Sequence, residues 1–271
     1  SQLPEFVHEH EVEVIFIALP LKHIRRVQKL LDALGNTTVS LYYVPDVLSS
    51  DVLDARAGEI LGVPVIALRE SPFHGIRGFL KRGLDIVVAG TAFVVALPVM
   101  LEIAAAIKLE GPGPVLFKQR RYGLDGREIN IYKFRTMKVT EDGGWMAQAK
   151  RNDERVSKLG AFLRRWSLDE LPQLYNVLQG RMSLVGPRPH AVAHNEEYRR
   201  LVRGYMIRHK VPPGLTGLAQ IKGYRGATPR LQDMQARVHY DVQYVHHWSL
   251  WLDVKILLLT IPKLIRTDKA F

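Results

Sequence analysis

From Leu84 to Ile107 the chain runs for about two dozen residues with only Asp85 and Glu102 as charges, and Pro98 lies inside that run. At ~1.5 Å per residue a helix of this length reaches about 36 Å, against a bilayer core of roughly 30 Å. An interior proline removes a helical hydrogen bond at a cost of about 3 kcal/mol, so the spacing predicts arms of about 14 and about 10 residues on either side of a break. Neither arm spans alone. Arg77, Lys81 and Arg82 precede the run, while Lys108, Lys118, Arg120 and Arg121 follow it. Basic flanks favour the cytoplasmic side, so the segment reads first as a re-entrant helix–break–helix dipping into one leaflet. A spanning helix and a buried soluble helix are the alternatives. A second apolar run with basic residues, Ser249 to Arg266, holds Trp251, Ile256, Leu257, Leu259 and Ile261 with Lys255 and Lys263. It fits a helix lying flat on a membrane and an ordinary core helix equally well.

The balance of charge narrows the partners. A formal net charge of +11 and a pI near 9.8 imply an anionic partner: nucleic acid, anionic lipid or a phosphorylated substrate. Nucleic acid leaves the proline-broken apolar segment unexplained. Hydrophobic content of 47% excludes wholesale disorder, and the absence of cysteine excludes disulfides and thiol chemistry.

Ser167-Leu-Asp-Glu-Leu-Pro-Gln-Leu174 carries two adjacent carboxylates. Ser167 and Glu170 have the spacing of a capping box, and Pro172 suits a first helical turn, so Asp169 and Glu170 are expected at a helix N-terminus. There the pair can hold a divalent cation, divide the roles of nucleophile and metal ligand, or simply cap the helix. Downstream, Gly186-Pro-Arg-Pro189 stiffens the chain around Arg188, fixing a guanidinium able to grip phosphate oxygens bidentately. Tyr132-Lys-Phe-Arg-Thr-Met137 reads as short strands or turns carrying basic side chains, Lys210 to Gly226 as a glycine-punctuated basic loop, and Glu141 to Lys150 as a mobile loop.

The N-terminal stretch alternates strand (Val14 to Leu19), amphipathic helix (Lys22 to Leu34) and strands (Val39 to Tyr43, Val63 to Leu68), a small α/β unit. No Gly-x-Gly-x-x-Gly follows its first strand, only Ala18-Leu-Pro20, so a dinucleotide site has little support. Glu70 to Gly75 reads as a linker. The chain opens on Ser1 with no signal-peptide pattern and is expected to be a fragment.

These ordered motifs resemble the monotopic phosphoglycosyl transferases, bacterial polyprenyl-phosphate hexose-1-phosphate transferases. The resemblance runs from about Phe79 to Phe271 through Lys81-Arg-Gly-Leu-Asp85, Pro98, Lys133-Phe-Arg-Thr-Met137, Ser167-Leu-Asp-Glu-Leu-Pro172, Gly186-Pro-Arg-Pro189, Pro213-Gly-Leu-Thr-Gly217 and Tyr240-Asp241 with Trp248-Ser249. It implies an α/β Rossmann-like fragment over residues 1–72, from a larger member without its upstream transmembrane helices. A mainly α, monotopic catalytic domain over residues 73–271, with interfacial amphipathic helices, completes the expected fold. It further implies that Asp169 attacks the β-phosphate of a UDP-sugar, releasing UMP, and that undecaprenyl phosphate then takes the sugar phosphate. Glu170, with Asp169, would hold Mg²⁺; Arg188, between Pro187 and Pro189, would grip phosphate; and Pro98 would set the membrane bend. Lys133, Arg135, Gln220 and Arg225 are candidate contacts to the diphosphate or acceptor, and Asp241 is a candidate for the site's rim against an ordinary surface or capping role. UDP-glucose is the first expected donor, with UDP-galactose or an N-acetylated sugar next, at the cytoplasmic face of a bacterial inner membrane. A homodimer through the α/β unit is expected, and a non-catalytic nucleotide-sugar sensor or scaffold is the competing class. Pro212 stands where relatives often carry a basic residue, and Leu97 where some have Ser.

Overall fold

Short β-branched and aromatic runs near the N-terminus pair into a four-stranded sheet. In this computed structural model, which describes residues 3–44, 58–60, 63–137, 155–226 and 230–265, β1 (Val14–Ile17) lies parallel to β2 (Ser40–Tyr43), joined through α2 (Ile24–Ala33). The expected loop Glu141 to Lys150 and the terminal Arg266 fall outside the described residues. β4 (Val63–Arg69) returns antiparallel to β2 and carries β3 (Gly58–Ile60) on its far side, giving the order β1-β2-β4-β3. The sheet is therefore mixed, and the Rossmann-like parallel winding extends only over β1–α2–β2. An additional helix, α1 (Leu3–Glu9), buries Val7 against Leu34, Val39 and Leu41.

The apolar segment forms one 36-residue helix, α3 (Gly75–Glu110), with Pro98 inside it. The expected break at Pro98 is not a helix end, because a proline deletes one hydrogen bond and bends a helix without having to terminate it. The middle of α3 faces outward: Val94 is 68% exposed and Val95 73%. Only 11% of its most apolar window is buried, which a soluble core helix does not show.

Both ends of α3 are fixed to the same body. Its N-terminal half places Ala89 among Leu174 and Val177 of α5 (Gln173–Leu178), Val185 of β7 (Ser183–Val185), Tyr244 of α8 (Leu231–His246) and Ile256 of α9 (Leu250–Ile265). Its C-terminal half packs Ile103 and Ile107 against Phe134 of β6 (Glu128–Phe134) and Leu163 of α4 (Lys158–Arg165). Leu171 touches both clusters. Polar contacts repeat the pattern: the buried Lys81 Nζ donates to Asp253 Oδ2 (2.7 Å), Val185 O (3.2 Å) and Asp85 Oδ1 (3.3 Å). At the other end Arg135 Nη2 donates to the carbonyls of Ile107 (3.0 Å) and Gly111 (2.9 Å), capping α3 where its last carbonyls lack helical partners.

β5 (Leu116–Tyr122) and β6 form an antiparallel hairpin, and β7 pairs in parallel with β8 (Gly214–Thr216). α6 (Val192–Leu201) and the short α7 (Leu218–Ile221) fill the connections. α9 buries Asp253 and Ile256 fully while Trp251, Leu258 and Ile261 stand exposed on it, so it has both a core face and an apolar outer face. The α/β unit touches this body through Thr38, whose Oγ1 donates to Asp125 O at 3.1 Å, and through Arg199 Nε to Asn36 Oδ1 at 3.3 Å.

Candidate active site

Asp169 and Glu170 sit on a single 3-10 turn, Leu168–Glu170, between α4 and α5. The expected capping box does not form. Ser167 takes a left-handed backbone (φ 56°), and its hydroxyl accepts from Arg225 Nη2 at 2.7 Å instead of capping a helical amide. α5 starts only at Gln173, after Pro172, so the two carboxylates precede the helix.

The two neighbours have opposite environments. Glu170 Oε1 accepts from Lys133 Nζ at 2.8 Å and Arg188 Nη2 at 2.7 Å, and its Oε2 accepts from Arg188 Nη1 at 3.3 Å. Burial alone would raise its pKa, but Arg188 and Lys133 override it and hold the carboxyl well below the usual range. Asp169 is 8% exposed, and burial pushes its pKa up to about 6, with the Glu170 charge adding to the rise and Lys133, Arg164 and Arg188 opposing it. One carboxylate is locked and neutralised, while the other is a desolvated, more basic oxygen among cations.

Arg188 is held by a loop that admits no slack. Gly186 N donates to Thr216 O and Gly214 N to Pro187 O, both at 2.9 Å. A Cβ on Gly186 would lie 2.5 Å from Pro212 O, and one on Gly214 2.1 Å from Gly186 N, so only glycine fits where the two segments cross. Beneath the loop, Arg208 Nη2 donates to Arg188 O at 2.6 Å and pairs with Asp241 at 2.8 Å, while Arg121 Nη1 donates to Pro189 O at 3.2 Å. Pro187 and Pro189 thus present their carbonyls as braces.

Residues 76–267 match the family described as bacterial sugar transferase. The chain belongs to that family. Residues 1–45 match a CoA-binding domain. Among relatives, the UDP-glucose:undecaprenyl-phosphate glucose-1-phosphate transferase of Escherichia coli (strain K12) is 50% identical over 263 residues, 97% of this chain and 57% of that protein. The protein of the same description from Caulobacter vibrioides is 51% identical over 191 residues, 70% of this chain and 72% of its own. The exopolysaccharide production protein PSS of Rhizobium leguminosarum is 45% identical over 196 residues, 71% of this chain and 98% of its own. The chain thus spans just over half the length of the Escherichia coli relative.

In this bacterial sugar transferase the expected residues divide into those at the site and those supporting it. Lys133 and Arg225 join Asp169, Glu170 and Arg188; the Arg225 pKa is lowered, by burial first and then by Arg188, against the opposing charges of Glu170 and Asp169. Arg135, one residue past the end of β6, spends its guanidinium on the carbonyls of Ile107, Gly111 and Pro112 at the end of α3 rather than joining this group. Asp241 is 2% exposed and paired with Arg208, so it is neither a rim residue nor a surface cap. Gln220 is buried under the loop crossing, its Nε2 donating to Leu215 O at 3.3 Å.

Sequence reasoning missed Arg121, Arg164, Arg208 and Arg237, together with His190, which is held neutral by burial and by Arg208, Arg237 and Arg121. Their signal was weak because each reads locally as a surface charge. Among the described residues no group of three or more His, Asp or Glu gathers to hold a metal. Asp169 and Glu170 are two adjacent hard carboxylates, of which Mg²⁺ takes one or two before completing its shell with phosphate oxygens and water; both Glu170 oxygens already accept from Lys133 and Arg188, so a cation there would compete with those ion pairs.

Proposed function

We propose that this chain is the catalytic part of an enzyme that transfers glucose 1-phosphate from UDP-glucose to undecaprenyl phosphate. The observation that carries the reading is Asp169: a buried carboxylate with its pKa near 6, beside an immobilised Glu170 and facing Lys133, Arg188 and Arg225. An Asp169 oxygen attacks the β-phosphorus of the donor, the bond from that phosphorus to the bridging oxygen breaks, and UMP departs. An oxygen of undecaprenyl phosphate then attacks the same phosphorus, breaking the aspartyl–phosphate bond and restoring the carboxylate. Arg188, Lys133 and Arg225 stabilise charge on the phosphoryl oxygens, a task for which fixed guanidinium forks are suited. Asp169 and Glu170 would hold Mg²⁺, which supplies charge neutralisation to the diphosphate.

The membrane reading follows from α3. Its apolar middle is exposed while both its ends are bound to one body, an arrangement that favours a re-entrant segment over a spanning one, at the cytoplasmic face of the inner membrane. The exposed Trp251, Leu258 and Ile261 of α9 supply a further apolar surface for lipid. β1 is an edge strand carrying the exposed Val14 and Phe16, which makes the α/β unit the candidate surface for a homodimer.

Glucose is favoured by the names of the relatives at 50% and 51% identity; a relative from Aeromonas hydrophila named for N-acetylgalactosamine transfer is 41% identical over 195 residues. The test is UMP release by detergent-solubilised protein with Mg²⁺, undecaprenyl phosphate and a panel of UDP-sugars. UMP from UDP-glucose alone, dependent on the lipid phosphate and lost in Asp169→Asn, is the expected result. UMP from another UDP-sugar reassigns the donor, and undiminished UMP release by Asp169→Asn removes the covalent mechanism.

A further inference from the structure

Arg237 lies on α8 and is 5% exposed, yet its Nε is buried without a hydrogen-bond partner among the described residues. A buried guanidinium so incompletely satisfied is a poor stabiliser, since an apolar side chain of similar volume generally serves a core as well or better. Its remaining contacts point to another role. Arg237 Nη2 donates to Gly226 O at 2.5 Å, directly beyond Arg225, and Nη1 lies 3.2 Å from His190 Nε2, directly beyond Pro189. One side chain therefore touches the two segments that carry Arg225 and Arg188.

The same helix holds the second segment by another route. Asp241 is one turn beyond Arg237 on α8, so the two share a face. Asp241 pairs with Arg208, and Arg208 donates to Arg188 O and contacts His190 Nδ1 at 2.7 Å. α8 is thus the common mount for both arginine-bearing segments, and the 3-10 turn with Asp169 lies where Arg188 and Arg225 converge: Arg188 on Glu170, Arg225 on Ser167.

We propose that Arg237 is a positioning residue that fixes the separation of Arg188 and Arg225, so that the two guanidinia engage the two phosphates of a nucleoside diphosphate together. This rests on the UDP-sugar reading. A single phosphate needs only one of the two forks, whereas a diphosphate needs both at the right spacing. Loss of the mount therefore weakens diphosphate binding selectively.

The test is calorimetric titration of the detergent-solubilised protein with UDP and with UMP, for the parent and for Arg237→Met and Arg237→Lys, with melting temperatures recorded alongside. Met removes both contacts at similar volume, and Lys supplies a folded comparison that can reach one partner but not both. The expected result is at least a tenfold loss of UDP affinity in both variants, less than a threefold change for UMP, and a melting temperature within a few degrees of the parent. In turnover, the KM for UDP-glucose rises while that for undecaprenyl phosphate stays constant. Unchanged UDP affinity, or parallel losses for UDP and UMP, overturns the positioning role. A parent protein that binds neither UDP nor UDP-glucose overturns the donor reading instead.

Discussion

Asp169 and Glu170 are adjacent in sequence and opposite in energetics, and their variants should separate accordingly. Asp169 is a carboxyl whose folded pKa, about 6, lies above its ordinary 3.8. The native state therefore holds its proton more tightly than the unfolded chain; the cost of ionising it is absent below the ordinary value, grows as the pH rises, and is complete above 6. In EDTA at pH 8, Asp169→Asn is expected to be inactive yet more stable by about 2–3 kcal/mol, the gain shrinking toward pH 4. Denaturant melts at the two pH values check this, and an equal or lower stability at pH 8 rejects it. Glu170 has a depressed pKa, so its contribution is full above 4.5 and fades only as the pH falls through the folded value. Glu170→Gln leaves Lys133 and Arg188 without their shared anion and is expected to cost about 3–5 kcal/mol at pH 8. Stability within 1 kcal/mol of the parent in that variant would show the ion pairs to be dispensable.

Among the elements, α3 decides how the chain meets a membrane. The chain has no cysteine, so single substitutions Arg77→Cys and Lys108→Cys report each end without background. An impermeant maleimide is expected to label both from the cytoplasmic side in inverted vesicles, and neither in intact cells; labelling of one end from each side establishes a spanning helix. The apolar run of α3, the α9 helix and the β1–α2–β2 winding were legible because periodicity and length report secondary structure directly. Asp169, Glu170 and Arg188 were legible because their motifs are short and local. The Ser167 capping box misled because Ser-x-x-Glu is also compatible with a left-handed turn once Arg225 offers the hydroxyl a partner 58 residues away. Arg135 and Asp241 misled for a related reason: the carbonyls and the guanidinium that engage them lie 23 or more residues distant. Nor does sequence distinguish the half-buried Arg121 and the buried Arg208 and Arg237 from ordinary surface charges.

At the scale of the whole molecule, the α/β unit rests on Asp125 and Arg199 through the Thr38 and Asn36 contacts, and Lys210, two residues past Arg208, pairs with the same Asp125. Its exposed edge strand β1 gives association a definite test. Light scattering of the detergent-solubilised chain is expected to report a dimer, and Phe16→Lys to report a monomer; a monomeric parent removes β1 as an interface. The pinned ends of α3 have a mechanical consequence. A helix fixed at both ends to one rigid body cannot slide to suit the bilayer, so in the proposed re-entrant placement it is a wedge that adds area to one leaflet only. The lipid must yield, and leaflets already under tension yield most readily, so the protein should favour highly curved vesicles over flat membranes of the same composition.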